Sequence, residues 1–491
     1  MAINTISSSF PRLFLVCALA CLCSLKALGF ASEGRETIEK NLLHHTHTVQ
    51  VSSLLPSTIC TPSTKGPHRK GSLKVVHKNG PCSQLNQDKT KIPTDVEILE
   101  QDQLRAEFIQ YSRHSKRLGG KVLRRKSESK GSANIPANLG RSFRTNNYIV
   151  TVGLGTPKRS LTLAFDTGSD LTWTQCQPCA GSCYDQDDVI FNPSHSSTYT
   201  NITCSSPLCS QLLSATGNRP ACSSSTCVYG VLYGDRSFSL GFFGKEKLTL
   251  TDKDVFQNFL FGCGQDNEGL FGAIAGLLGL GRDKFSLVEQ TANRYGRIFS
   301  YCLPSTSSST GHLTFGEGSD KASKAIKFSP FSKSYSKSSF YGLDLLGIRV
   351  AGNKLAIPPS VFSTAGLVID SGTTLTYLPP TVYNALRTAF RQAMKNYTMG
   401  EPFSILDTCY DFSSRKTVYI PRIVFSFSGG VDVEVDKSGV LLVRNLSQVC
   451  LAFTGNKNAN DTAIFGNTQQ KTLEVVYDVG RSRIGFAPGG C

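Results

Sequence analysis

The sequence predicts an all-β protein with minor helix, built from two related halves behind a distinct leader. Three observations predict it. From about Arg141 onward, short β-branched and aromatic runs such as 147–154 and 247–251 recur between Gly, Pro, Asn and Ser. An apolar run ending in Asp, hydroxyl residue, Gly, hydroxyl residue occurs twice, at 163–169 and again at 367–373. Residues 32–140 have a different texture, with 18 Lys and Arg against 10 Asp and Glu and six of the eight His.

Composition bounds the rest. At 491 residues the chain has room for two or three globular units. Only 18% of residues are charged and 40% are apolar, which excludes a disordered or coiled-coil protein. Beyond the N-terminus no apolar run approaches the ~20 residues that a spanning helix needs, so neither an internal membrane span nor a lipid-anchor tail is expected.

In chain order, Arg12 precedes the apolar stretch 13–25, and Gly29-Phe30-Ala31 supplies small residues where a signal peptidase reads. This predicts a signal peptide over 1–31 and export to the cell exterior or the vacuole. The Ser7-Ser8-Ser9 run leaves a chloroplast transit peptide as the alternative. Residues 73–77 alternate like a strand. Asp95 to Tyr111 predicts a helix, with Val96, Leu99, Leu104 and Phe108 on its apolar side and Asp95 and Glu97 suiting its start. The basic run 113–130 then has three candidate roles: a tail covering an acidic cleft until acid releases it, a phosphate contact for nucleic acid, or solubility. Residues 381–395 predict the best helix of the remainder.

Seventeen cysteines fit an oxidising compartment. Three leave with the signal, Cys60 and Cys82 fall in the leader, and twelve run from Cys176 to Cys491, an even number expected to pair. Cys176-x2-Cys179-x3-Cys183 is not read as a metal site, because only His195 and His312 stand in the later region. Asn201, Asn396, Asn445 and Asn460 begin glycosylation sequons.

The repeat carries the chemistry. Asp166-Thr167-Gly168-Ser169 is echoed by Asp370-Ser371-Gly372-Thr373, and each is followed later by apolar-apolar-Gly, at 277–279 and 464–466. A strand ending in Asp delivers a carboxylate into a buried loop, Gly permits close backbone approach, and the hydroxyls orient the carboxylate. If the halves meet about a pseudo-twofold, the two carboxylates share one proton and hold a water between them. One takes a proton from that water while the other donates to an amide carbonyl, so no metal or other cofactor is required.

These motifs resemble the pepsin-like aspartic proteases, specifically the plant nepenthesin-type group, over about residues 145–491. The resemblance implies a bilobal all-β fold with a cleft between lobes: an N-terminal lobe at 141–335, a C-terminal lobe at 336–491, and 32–140 as a pro-segment acting as an intramolecular inhibitor. It implies Asp166 and Asp370 as the catalytic pair, Thr167 and Ser371 knitting the loops together, and Ser169 and Thr373 bonding the outer carboxylate oxygens. Tyr233-Gly234-Asp235 resembles the tip of a flap over the substrate, with Trp173, the single Trp, holding Tyr233. Arg236 departs from the second Gly usual there. The cysteine-rich stretch 176–227 resembles that group's insertion, and Cys409–Cys450 is the bridge the resemblance implies. The implied activity is a monomeric endopeptidase made as a zymogen and acting on polypeptides. A chloroplast nucleoid DNA-binding protease, which the chain also resembles, and an inactive inhibitor on the same fold remain as alternatives.

Overall fold

The computed structural model describes residues 45–55, 57–65, 71–85, 94–117, 148–233, 237–269, 271–316 and 326–491. Strands dominate them. The run Tyr148–Leu154 shows why: its β-branched and aromatic side chains are buried on both faces except at Thr151, as befits a strand packed between layers. Helices are few. Pro380–Ala393 starts on a proline and buries Val382, Tyr383, Leu386 and Phe390 along one stripe.

The architecture is bilobal. One long sheet runs through the N-terminal lobe and continues into a platform between the lobes. There, Ile298–Cys302 pairs with Glu474–Asp478, so the end of the chain returns to join strands of the first half. The C-terminal lobe is built on a five-stranded and two four-stranded sheets.

The sequence repeat is a structural one. Arg159–Asp166 lies parallel to Gly276–Gly279, pairing Phe165 with Leu278 and Asp166 with Gly279. Leu367–Ile369 lies parallel to Ala463–Phe465 in the same way. The apolar-apolar-Gly motifs are thus the strands lying beside the two Asp-bearing strands. Each Asp ends a strand that is buried on both sides, which fixes where its carboxylate emerges.

The leader is woven into both lobes. Thr46–Gln50 adds antiparallel to Thr417–Pro421 in the C-terminal half. Ser72–His77 is an interior strand of the platform, between Thr310–Thr314 and the start of Tyr148–Leu154. Val49, Val51, Leu73 and Val75 belong to the main core. A disulfide between Cys60 and Cys82 ties the connection between these two strands to the segment that follows the second.

The helix Asp95–Arg117 follows. Its buried face differs from the expected one: Leu99, Ala106 and Ile109 are buried together with Gln101, Asp102, Arg105 and Gln110, while Val96 is exposed and Leu104 and Phe108 are half-buried. A purely hydrophobic reading misplaces this face because the groove beneath it is itself polar and charged.

Among the described residues there are seven disulfides, including Cys409–Cys450, whose residues face each other across paired strands. Two more fasten the cysteine-rich stretch to a hairpin: Cys204–Cys222 reaches the strand Ala221–Ser223 and Cys209–Cys227 the strand Thr226–Leu232. Asn201, Asn396, Asn445 and Asn460 are all exposed. Among the described residues no helix is long and apolar enough to cross a membrane, and no cluster of His, Cys, Asp and Glu could hold a metal.

Candidate active site

Asp166 and Asp370 emerge from their strands into one buried site between the lobes, each with 0% exposure. The two loops are locked reciprocally: Thr167 N–H donates to Ser371 Oγ at 3.1 Å, and Ser371 N–H donates to Thr167 Oγ1 at 2.9 Å. Each carboxylate also accepts its own loop's amide, Gly168 N–H on Asp166 Oδ1 at 2.9 Å and Gly372 N–H on Asp370 Oδ1 at 3.2 Å. The glycines are required by proximity. A Cβ on Gly168 would stand 2.8 Å from Asp370 Oδ1, and one on Gly372 would stand 2.6 Å from Asp166 Oδ1.

The outer hydroxyls differ. Thr373 Oγ1 donates to Asp370 Oδ2 at 2.6 Å, whereas Ser169 Oγ and Asp166 Oδ2 are both buried without a hydrogen-bond partner of good geometry. The site has a third member, which the sequence reading missed. Arg105, from the leader helix, reaches between the two carboxylates. Its Nη2 touches Asp166 Oδ1 at 2.7 Å and Asp370 Oδ2 at 2.8 Å, and its Nε donates to Asp370 Oδ2 at 2.8 Å. One guanidinium therefore bridges both carboxylates in the manner its fork permits.

The electrostatics are unequal. Burial raises Asp166 above the usual carboxylate range, with Arg105 opposing and the neighbouring Asp370 adding to the rise. Burial also acts upward on Asp370, but the Arg105 charge and hydrogen bond, the Thr373 hydroxyl and the Gly372 amide outweigh it, so Asp370 sits below its ordinary value.

The helix is fastened on either side of Arg105. Asp102 accepts from the backbone N–H groups of Thr374 and, at 2.7 Å, Leu375, directly after the second catalytic-type motif. Burial nevertheless pushes the Asp102 carboxyl up to about 7. The Gln110 amide clasps both backbone groups of Thr462, with Nε2 donating to the carbonyl at 2.8 Å. The signal for this element was available: Asp102, Arg105 and Ala106, and Ile109 and Gln110 recur at helical spacing from Leu99, placing opposite charges on an otherwise core-facing stripe. Cleft cover is one of the three roles the sequence leaves open for 113–130. The described part of that run, to Arg117, is the end of this helix, and 118–130 lie outside the described residues.

Beneath the pair runs a buried polar chain. Gln470 Nε2 donates to the carbonyls of Asp370 at 3.2 Å and Phe465 at 2.8 Å, Tyr301 O–H donates to Gln470 Oε1, and Tyr477 lies 3.0 Å from Tyr301. It links the platform strands of both halves to the backbone that bears Asp370. Nothing in the sequence pattern singled out Gln470.

Over the site, Trp173 Nε1–H donates to Tyr233 Oη at 2.7 Å. Trp173 is fully buried and meets Phe271 edge-on at 4.7 Å, with Phe271 also against Tyr233 at 5.9 Å. Gly234, Asp235 and Arg236 lie outside the described residues. On the N-terminal-lobe side a cavity of about 520 Å³ is lined by Asp166, Tyr233, Leu213, Ala215 and Phe340, with Phe108 of the leader helix. The cysteine-rich stretch thus supplies cleft wall through the short helix Leu212–Thr216.

Two sequence families match: xylanase inhibitor N-terminal over residues 148–317 and xylanase inhibitor C-terminal over 340–488. The aspartyl protease AED1 of Arabidopsis thaliana is 51% identical over 462 residues, covering 94% of this chain and 95% of that protein. The chain belongs to the plant aspartyl protease family. Another Arabidopsis thaliana aspartyl protease family protein is 53% identical over 96% of this chain and 97% of its own length. The aspartic proteinase nepenthesin-2 of Nepenthes gracilis is 38% identical over 70% of this chain and 78% of its own. Among solved structures, basic 7S globulin from soybean superposes with a TM-score of 0.56 at 23% identity, covering 69% of this chain and 92% of that one, and so speaks to the fold.

Proposed function

We propose that this chain is an aspartic endopeptidase made as a zymogen, in which Asp166 and Asp370 activate a water and Arg105 of the pro-segment keeps them idle. The observation that carries this is the contact of a single guanidinium nitrogen with both carboxylates, at 2.7 and 2.8 Å. A cation there occupies the place where a nucleophilic water must sit. Its charge also opposes the sharing of a proton between the carboxylates, holding Asp370 below its ordinary value.

Once the helix leaves, the pair regains that proton. The ionised carboxylate then takes a proton from the bound water, whose oxygen attacks the scissile carbonyl carbon. The protonated partner donates to the carbonyl oxygen, giving a neutral tetrahedral diol. Proton return to the amide nitrogen then breaks the C–N bond. The reciprocal Thr167–Ser371 bonds hold the carboxylates in position, and the Trp173–Tyr233 bond supports the flap side of the cleft. Substrate binds extended across the cleft that the helix vacates. We place the protein in the secretory pathway, a reading its seven disulfides support.

The test is hydrolysis of denatured protein by the acid-treated full chain and its Asp370→Asn variant. Wild-type cleavage with none in the variant is expected, together with inhibition by a pepstatin-type statine peptide. Equal cleavage by both proteins refutes the assignment. A wild-type chain that neither cleaves nor binds the statine peptide favours the second reading, a binding protein on the same fold. That reading draws on the inhibitor description of the matching families.

A further inference from the structure

The pro-helix is a partial imprint of whatever later fills the cleft, and one of its contacts is a charge. Glu107 lies two residues beyond Arg105, about 3 Å further along the helix axis. Its Oε1 meets Lys457 Nζ of the C-terminal lobe at 2.6 Å. Lys457 is presented by a braced loop. Asn456 N–H donates to the Leu378 carbonyl at 2.7 Å, and Asn456 Nδ2 donates to the carbonyls of Asp461 and Thr462. Asn458 donates through both its backbone N–H and its Nδ2 to Asp461 Oδ2, at 3.0 and 3.1 Å. The one acid on this loop is therefore engaged inside the loop. A cavity of about 450 Å³ separates this wall from the helix, lined by Gln103, Glu107, Tyr377, Ile405, Thr454 and Lys457. The cavity beside the carboxylate pair is lined by Leu213, Ala215, Val231 and Phe340, and also by the charged Arg282, Asp283 and Lys337.

We infer that Lys457 is a specificity-determining residue, selecting substrates that carry a carboxylate side chain within about three residues of the scissile bond on the C-terminal-lobe side. This deepens the endopeptidase reading and rests on it. When the helix departs, Glu107 goes with it, and the ammonium is left facing the cleft on a loop that needs no rearrangement to receive a new anion. The ammonium is a point charge on a flexible stem, so it recognises charge rather than a particular acid. Both partners of the present pair are partly exposed, at 65% and 42%, which sets the scale of the preference as modest and salt-dependent.

The experiment uses acid-activated full chain and a set of quenched fluorescent peptides in which one Glu, Gln or Lys is moved through the positions on either side of an apolar scissile pair. Assays run at about pH 5, above the ordinary Glu pKa of about 4.3. Wild type is expected to prefer Glu over Gln at one position by roughly two- to fivefold in kcat/KM, a preference erased by 0.5 M salt. Lys457→Met should level it, and Lys457→Glu should invert it in favour of Lys at the same position. Cleavage with the same Glu:Gln ratio in all three proteins overturns the assignment while leaving the peptidase reading intact. Failure of wild type to cleave any peptide overturns both.

Discussion

Replacing Arg105 by Ala tests the latch directly. The guanidinium side chain is 11% exposed, and its two partners are 1% and 0% exposed. Removing one partner from a buried ion pair ordinarily costs about 3–5 kcal/mol, because a charge is stranded. Here the stranded carboxylates can take up a shared proton, so the lower end of about 3 kcal/mol applies, or roughly 10²-fold in the equilibrium between docked and released helix. The helix retains Asp102 on the Thr374 and Leu375 amides, Gln110 on Thr462, and its apolar contacts, so it is loosened rather than unfolded. Intact full chain is assayed on a quenched peptide near pH 6 without acid treatment. Wild type should be latent, Arg105→Ala should cleave at once, and Arg105→Lys should fall between, keeping charge but losing the fork. The double variant Arg105→Ala/Asp370→Asn should be silent. If Arg105→Ala is as latent as wild type, the inhibitory role assigned to this residue is wrong.

Acid should open the zymogen in two stages. His77, on the interior platform strand, is held down to about 3 by burial and by Lys471 and Lys78, with Tyr148 packed edge-on and Nδ1 accepting from Asn79 N–H. Its native pKa lies below the unfolded 6.5, so the released strand takes up a proton that the docked one refuses. Docking therefore weakens up to tenfold per pH unit as pH falls from about 6.5 toward 3. Asp370, held below its usual value, keeps its full share of the latch above the ordinary carboxylate range and loses it only as pH falls through that lower value. Asp102, raised to about 7, acts oppositely, since the docked helix gains a proton as pH falls through 7. Hydrogen exchange at 72–77 should accelerate at higher pH than exchange at 95–117, and His77→Gln should remove the earlier step; simultaneous opening contradicts this. Trp173→Phe keeps the ring packing on Phe271 but deletes the donor to Tyr233. It should lower kcat/KM several-fold with thermal stability falling by about 1 kcal/mol, the net worth of one hydrogen bond, as read from steady-state kinetics and melting. Unchanged kinetics would remove the supporting role from Trp173.

The legible parts of this protein were those encoded by local, repeated patterns. Asp166 and Asp370 were visible because the same four-residue loop appears twice after the same kind of strand, and the partner strands 276–279 and 463–465 because apolar-apolar-Gly follows each. Arg105 was not seen, although its helix was. A charged residue on a core-facing stripe has meaning only if the opposing surface is known, and that surface comes from residues 166 and 370. Gln470 escaped for a similar reason: its role is to bond backbone carbonyls brought near by folding. The cleft-lining helix Leu212–Thr216 was hidden inside a stretch that reads chiefly as disulfide framework.

The leader's weaving into both halves bears on how the molecule is made. Its first strand bonds residues 376 positions downstream and its second bonds residues 242 downstream, so both emerge from the ribosome long before their partners exist. They are templates that wait. A gene beginning near residue 145 would yield a chain with a missing rung in the platform and a bare strand border on the other half, both inviting foreign strands to pair. Cutting the leader away after assembly and omitting it beforehand are therefore different operations, and only the first begins from a finished interior.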